Sequence, residues 1–474
     1  MEYQAVIGLE VHAQLNTKSK LFCSCSTEFA ADPNHHVCPV CLGFPGVLPV
    51  LNKKAIDFVI QTCLAFNCET PSMSRFARKN YYYPDLPKAY QISQYELPLG
   101  VNGKLDINVG GKKKTIRIHR IHLEEDAGKL VHLDGGGSCV DYNRTGIPLM
   151  EIVSEADIAS SDEAVAYLTA LRSVLQYLGV CEANMEKGEM RCEPNISVMP
   201  VGSKTWGTKT ELKNLNSFRA VQRGIDFEIE RQIDLIEDGG RVIQETRRWD
   251  DTTQTTQSMR TKEHAHDYRY FPDPDLVPVE IDPEWITRLS ESIPELPVAR
   301  ASRLVSQFGL PEYDARVLTD TKPLADYFEN VASLISEPKL ASNWIMTELL
   351  GRLNEQNTPL SDCKITPAAF AALLNLISSG KISARTGKDV FKEMFASGAD
   401  PEKIVSEKNL IQVSDESEIA AVVARVIAEN PGPVADLKAG KEKAIGFLVG
   451  KVMAATKGKA NPGIVNKLLK DQLS

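Results

Sequence analysis

The chain has 474 residues, with 54 Lys and Arg against 63 Asp and Glu, a net charge of −9 and 43% hydrophobic residues. That composition is ordinary for a folded protein of about three domains, and it excludes collagen, a coiled-coil rod and a mostly disordered chain. No stretch approaches the roughly 18 uncharged apolar residues of a membrane helix, and the opening MEYQAVIGLEVHAQL carries no secretory signal pattern, so a cytoplasmic location is expected.

The first element in the chain is a strand. Ile7, Leu9, Val11, Ala13 and Leu15 alternate with Gly8, Glu10, His12 and Gln14, and period two puts Glu10 and His12 together on the polar face. An exposed strand face has the same pattern, so this segment alone assigns no chemistry. Cys23-x-Cys25 and Cys38-x-x-Cys41 follow, with 12 residues between the pairs. Two close thiol pairs across a short loop suit structural Zn²⁺. The single-residue spacing of the first pair is tighter than usual. His35 and His36 are alternative ligands, and four ordinary thiols remain the other reading.

Arg117-Ile-His-Arg-Ile-His-Leu-Glu-Glu-Asp126 predicts a second strand, with Ile121, Leu123 and Glu125 on one face and His122, Glu124 and Asp126 on the other. Glu151 ends the apolar run Gly146–Met150. Carboxylates that converge in a fold hold a hard cation such as Mg²⁺. The chain contains neither a P-loop nor a G-x-G-x-x-G, so a nucleotide site must be built another way.

Residues 1 to about 271 read as mixed and strand-rich, and prolines 272, 274, 278, 283, 294 and 297 then interrupt regular structure. Beyond them the period becomes helical. Thr366-Pro367 predicts a helix start ahead of Phe370, Leu373, Leu374 and Ile377, with Gly380 ending it. A second stripe is Ile419, Val422, Val423, Val426 and Ile427, stopped by Asn430-Pro431-Gly432. Ile445, Leu448, Val449, Val452 and Met453 form a third. From Pro431 onward, eight lysines face three acids, a balance of +5 that leaves −14 in the rest. A basic tail on an acidic body suits a polyanion, although a solvated lysine-rich helix face has the same charge.

Several strings together carry a resemblance. They are Gly8–Leu15, Arg78-Lys-Asn-Tyr-Tyr-Tyr-Pro-Asp-Leu-Pro-Lys88, Gln91-Ile-Ser-Gln94, Ile121–Lys129, Asp141-Tyr-Asn-Arg-Thr-Gly146, Glu211–Phe218, Asp267–Leu276, Gly440–Lys443 and Gly458–Pro462. In these the chain closely resembles, nearly end to end, the B-subunit family of the bacterial glutamyl/aspartyl-tRNA amidotransferases.

The resemblance implies an α+β protein: a β-rich N-terminal cradle domain (1–290), a helical domain (291–406) and a small all-helical YqeY-like tail that contacts tRNA (407–474). It implies a ligase that forms a carbon–nitrogen bond with glutamine as amido donor. ATP phosphorylates the side-chain carboxylate of misacylated Glu-tRNA(Gln) or Asp-tRNA(Asn). Ammonia then gives Gln-tRNA(Gln) or Asn-tRNA(Asn). It is channelled from an amidase partner, the A-subunit, which a small C-subunit holds in a heterotrimer. Carried over by motif, Glu10, His12, Glu125, Glu151 and Lys79 are the expected catalytic residues. Glu10, His12, Glu124, Glu125 and Glu151 are expected on Mg²⁺ or the softer Mn²⁺, and Cys23, Cys25, Cys38 and Cys41 on structural zinc. Arg191, Lys209 and Lys213 are expected to meet ATP or the tRNA terminus. Glu193 stands where the family pattern has Asp, which leaves its ligand role open. The competing expectation is a non-catalytic, zinc-containing tRNA-binding scaffold, which would not need the acids to converge.

Overall fold

In the computed structural model, residues 1–261, 265–412, 416–438, 443–456, 460 and 462–473 are described. They form two units, Met1–Leu296 and Pro297–Ser474.

The first unit is built on an eight-stranded sheet. The strands named here are β1 (Tyr3–Gln14), β2 (Ala77–Asn80), β3 (Tyr90–Ser93), β4 (Gly100–Val109), β5 (Lys112–Glu125), β6 (Pro148–Ser154), β7 (Met190–Pro200), β8 (Thr210–Lys213), β9 (Glu245–Asp250), β10 (Thr255–Thr261) and β11 (Phe271–Pro272). The large sheet runs β10-β9-β8-β7-β1-β6-β5-β4, and β11-β2-β3 form a separate three-stranded sheet. Neighbours in the large sheet are antiparallel except β8 and β9.

One face of the large sheet is apolar. Ile7, Leu9, Val11 and Ala13 of β1 join Ile121 and Leu123 of β5, Met150 and Ile152 of β6, and Cys192 and Ile196 of β7 in a buried core. Helices α1 (Lys53–Ala65), α2 (Ser161–Leu178) and α3 (Phe218–Glu237) add Ile56, Leu168, Leu171 and Ile225 to it. Each fully buried Ile or Leu contributes about 2 kcal/mol of transfer free energy. The alternation in β1 therefore aims Glu10 and His12 at the opposite face.

β5 obtains the same result by an irregularity. Ile116 and Ile118 are core residues, and so are Ile121 and Leu123. Strict alternation cannot bury both even and odd positions. The register against β6 shifts between Ile118 and Arg120, so one extra residue, His119, reverses the parity. Such a bulge re-aims everything beyond it. Arg120, His122 and Glu124 are thereby turned to the face that carries Glu10 and His12.

A polar network fastens α3 to the far strands. Glu228 is fully buried and takes hydrogen bonds from Thr210 Oγ1 (2.6 Å), Arg231 Nη2 (2.6 Å), Gln232 Nε2 (3.0 Å) and Thr256 Oγ1 (3.2 Å).

The second unit is helical. Helices between Pro297 and Glu407 enclose a core that includes Phe328, Phe370, Leu373, Leu374 and Phe391. Thr366 Oγ1 accepts from Ala369 N and starts the helix Pro367–Ser378 as expected, and Gly380 adopts φ +72° just past its end. Pro283 and Pro297 each open a helix rather than merely breaking the chain, because proline's preset φ suits the first turn. A separate apolar cluster joins Ile419, Val423 and Val426 to Leu448, Val452, Val465 and Leu469. Asn430-Pro431-Gly432 ends one helix at Glu429 and starts the next at Pro431. Among the described residues, no helix is long and apolar enough to cross a membrane.

Replacing Glu228 with Ala should strand its buried donors and lower the stability of the first unit by about 3 kcal/mol. A denaturant titration followed by the fluorescence of Trp249, buried beside α3, reads this directly.

Candidate active site and metal centre

The polar face of the sheet gathers residues from four strands. In register, Arg191, His12, Glu151 and His122 form one cross-strand row, and Glu193, Glu10, Val153 and Arg120 form the next. His12 Nε2 lies 3.4 Å from Glu151, 3.5 Å from Glu124 and 3.7 Å from Glu10. His122 Nε2 lies 3.2 Å from Glu151 and 3.8 Å from Glu124. The donor atoms of Glu10, His12 and Glu151 fall within 4.8 Å of one another, as do those of His122, Glu124 and Glu151. Glu151 belongs to both sets, so the two are one site that can hold a metal ion.

The charges respond to the crowding. Burial and the neighbouring Glu151 push the Glu10 carboxyl up to about 7, against the opposing pull of His12. Burial disfavours the imidazolium of His12, but the Glu151 hydrogen bond and the surrounding carboxylates outweigh it and raise the pKa to about 9. His122 is raised in the same way. Burial would raise Glu151, yet the two histidines hold it well below the usual carboxylate range.

Glu125 does not join this cluster. Its place one residue beyond Glu124 turns it to the other side of the strand, as the alternation through 121–126 requires. There Lys88 Nζ and Ile92 N (2.9 Å) bind Oε1. Glu125, expected as a ligand, thus lies outside both donor sets, whereas Glu124, also expected, lies in one of them together with His122, which was not expected. The signal for both was the shared face of His122 and Glu124.

Residues Gln91–Gln94 hold the acidic strand in place. Gln91 Nε2 donates to the Glu125 carbonyl (2.7 Å), Ser93 Oγ to Glu124 Oε2 (3.3 Å), and Leu123 N to Gln94 Oε1 (2.9 Å). At the strand end, Asp126 receives Gln14 Nε2 (2.8 Å) and Arg191 Nη2 (3.0 Å). Burial would raise Asp126, but Arg191 and Arg144 hold it down.

The other expected cations divide. Lys79 on β2 faces Tyr268 (5.0 Å to the ring centre) and Tyr81 (5.9 Å). Burial disfavours its charge, yet the fields of Glu124, Tyr270 and Glu151 raise its pKa. Lys213 pairs with Glu193 at 2.5 Å, and Lys209 is exposed just ahead of β8. Glu193 lies opposite Glu10 but outside both donor sets.

The four cysteine sulfurs of Cys23, Cys25, Cys38 and Cys41 also lie within 4.8 Å of one another. The Cys38–Cys41 separation is 3.9 Å. A tetrahedral ion with bonds of about 2.3 Å to sulfur requires roughly 3.8 Å, so the set fits zinc. His35 and His36 lie outside the set. The fully buried Lys20 places Nζ 3.6 Å from Cys41 Sγ and 2.7 Å from the His36 carbonyl. The hydrogen bond from Cys23, against burial and with smaller help from the Cys38 amide and the Lys20 charge, draws Cys41 down to about 4, while Cys25 is pushed up to about 11, mainly by burial. The loop is tied to residues 141–146: Tyr142 N donates to Asn34 Oδ1 (2.8 Å), His36 N to Asn143 Oδ1 (2.8 Å) and Leu21 N to the Gly146 carbonyl (2.8 Å). Gly146 adopts φ +82°, a conformation that favours glycine.

Comparison with known proteins decides the family. Residues 5–287 match the GatB/GatE catalytic domain family, and residues 326–473 match the GatB domain family. The chain belongs to the GatB family. It is 57% identical to the B subunit of the aspartyl/glutamyl-tRNA(Asn/Gln) amidotransferase of Carboxydothermus hydrogenoformans, over 100% of this chain and 99% of that one. It is 57% identical to the protein of that name from Moorella thermoacetica and 58% to that of Geobacter sulfurreducens, over 100% of both chains in each case. Of the strings that carry the resemblance to GatB, Gly8–Leu15, Arg78–Lys88, Gln91–Gln94, Ile121–Lys129 and Asp141–Gly146 help to build and brace this site. The strings Gly440–Lys443 and Gly458–Pro462 lie largely outside the described residues, 440–442, 458, 459 and 461 among them.

If zinc fills the thiol set, changing Cys38 to Ser should cut its uptake to about a tenth or less and lower the melting temperature, as loss of a structural metal does. Elemental analysis of the purified protein checks this, with Cys363→Ser as the control that keeps its metal.

Proposed function

We propose that the chain is the B subunit of a tRNA-dependent amidotransferase. It uses ATP to phosphorylate the side-chain carboxylate of Glu-tRNA(Gln) or Asp-tRNA(Asn) and then replaces phosphate with ammonia. The convergence of Glu10, His12, His122, Glu124 and Glu151 carries this reading, because a scaffold has no need to crowd these groups together.

The chemistry explains the donor set. A carboxylate is a poor electrophile, since oxide cannot leave. Its oxygen attacks the γ-phosphorus of ATP and ADP departs. Ammonia then attacks the activated carbonyl carbon, phosphate leaves with the electron pair of the C–O bond, and the added nitrogen loses its proton. A divalent cation held by Glu10, His12, Glu124, Glu151 and His122 would neutralise charge on the transferring phosphoryl group. Two imidazoles beside three carboxylates suit Mn²⁺ better than Mg²⁺, which prefers oxygen. Lys79, among aromatic rings, is suited to an anionic substrate in a water-poor site, and exclusion of water protects the acyl phosphate. Arg191 and Lys213 lie beside the cluster, where they would orient the nucleotide or the tRNA terminus, with Lys209 further out.

In this reading Cys23, Cys25, Cys38 and Cys41 hold a structural zinc. Residues 1–290 form the cradle, 291–406 the helical domain and 407–474 the YqeY-like tail, whose lysines contact the phosphate backbone of tRNA. An amidase partner makes the ammonia and a small third protein completes a cytoplasmic heterotrimer.

Glu124→Gln should weaken Mn²⁺ binding at least about tenfold, as loss of a ligand does, while Glu125→Gln stays within about twofold of wild type. Free Mn²⁺ measured by electron paramagnetic resonance distinguishes the two. In the assembled complex, Glu124→Gln should also abolish phosphate release with Glu-tRNA(Gln). Deleting residues 407–474 should weaken tRNA binding in a filter assay and make it less salt-dependent, yet leave glutaminase activity intact; unaltered affinity would remove the tail from tRNA recognition.

A further inference from the structure

Arg120 occupies a place that structural need alone does not explain. The bulge at His119 turns it onto the polar face, in the row that contains Glu10 and next to the row of His12, Glu151 and His122. Among the described residues, its guanidinium has a single hydrogen-bond acceptor, the Gln94 carbonyl, which Nη2 reaches. Nε is buried and has no partner among the described residues. A planar donor fork is adapted to two oxygens of one anion, and a buried donor left open costs about 1–3 kcal/mol. Glu151 and Glu124 act on its charge, yet both carboxylates make their close contacts with the histidines and not with Arg120.

The surroundings hold that fork in place. Gln94 is almost fully buried and fixed at both ends, by Leu123 N on Oε1 and by its own Nε2 on Ser74 Oγ (2.7 Å). Tyr95, next in sequence, stacks on Tyr270 with ring centres 4.2 Å apart and planes 8° from parallel. Tyr270, Glu124 and Glu151 act on both Arg120 and Lys79, so the two cations border the same carboxylates.

We infer that Arg120 is a substrate-binding residue whose guanidinium takes an oxyanion at the edge of the carboxylate cluster. This deepens the proposed function and rests on it. The anion is either the transferring phosphoryl group of ATP or the side-chain carboxylate of the misacylated amino acid. Both present paired oxygens, and in both cases Arg120 offsets the repulsion that Glu124 and Glu151 would exert on an incoming anion.

The test uses the complete heterotrimer and measures ATP-dependent amidation of Glu-tRNA(Gln) while each substrate is varied in turn. Arg120→Gln should lower kcat/KM about a hundredfold, the usual scale for losing one charge-stabilising donor. A raised KM confined to ATP would mark the phosphoryl group as the ligand, and one confined to the tRNA would mark the carboxylate. Arg120→Lys keeps the charge and a reach to Gln94 but loses the fork, and should stay about tenfold below wild type. Guanidinium ion should restore part of the activity of Arg120→Ala, and sodium chloride at equal ionic strength should not. Failure of the wild-type complex to couple ATP to amidation would strike the proposed function itself. With an active wild type, an Arg120→Gln complex of unchanged kcat/KM for both substrates would overturn the role of Arg120. So would full activity in Arg120→Lys, or an Arg120→Ala complex that guanidinium leaves unaltered, because a brace for the Gln94 carbonyl predicts those results.

Discussion

Placing three carboxylates side by side on one face of a sheet is the constraint on which the catalytic unit depends. Two like charges about 4 Å apart repel by about 4 kcal/mol at an effective dielectric near 20. Glu10 and Glu151 bring oxygens within 4.8 Å of each other, as do Glu124 and Glu151. The chain offsets this with two histidines drawn from different strands, His12 and His122, each of which approaches Glu151. The cluster is thus a partly balanced set of charges before any ion enters. A divalent cation would take the place of the charge that the imidazoles carry.

That balance holds only in one register. β1, β5 and β6 must align so that His12, Glu151 and His122 share a row, and a slip of one residue in any of them would bury the acids and expose the core. The apolar partners on the opposite face set β1 and β6. β5 needs an additional device, because its apolar positions change parity along its length. The bulge at His119 reconciles Ile116 and Ile118 with Ile121 and Leu123, and so the hydrophobic core determines which polar side chains reach the site. Residues Gln91–Gln94 then fasten the far end of that strand from the side.

The thiol cluster extends the same frame. Its loop is tied to residues 141–146, and these are tied in turn to the acidic strand: Gly146 N donates to the Asp126 carbonyl (2.8 Å), and Arg144 donates to the carbonyls of Ala127 and Gly128. The buried Lys20 joins the loop to residues 141–146, hydrogen-bonded to the Tyr142 carbonyl at 3.3 Å and close to Cys41. A metal in the thiol site would therefore stiffen the loop against which the acidic strand ends. Lys88 and Glu125 line a cavity of about 110 Å³ with Lys20 and Cys41.

Local pattern in the sequence was enough for much of this. Alternation in β1 placed Glu10 and His12 on one face, cysteine spacing marked the thiol cluster, and the cap at Thr366 located a helix, because each depends on neighbours a few residues apart. Long matching strings identified the family. The sequence could not by itself say which of Glu124 and Glu125 stands next to Glu151, although alternation favoured the former; the pairing of β5 with β6 places Glu124 there, and Lys88 and Ile92 approach Glu125 from elsewhere in the chain. Nor could it place Arg120 in the same row as Glu10, since that relation runs across three strands and depends on one bulged residue. Side-chain periodicity is a property of a single strand, whereas a site assembled across strands is set by register, and register is decided by the packing of the whole core.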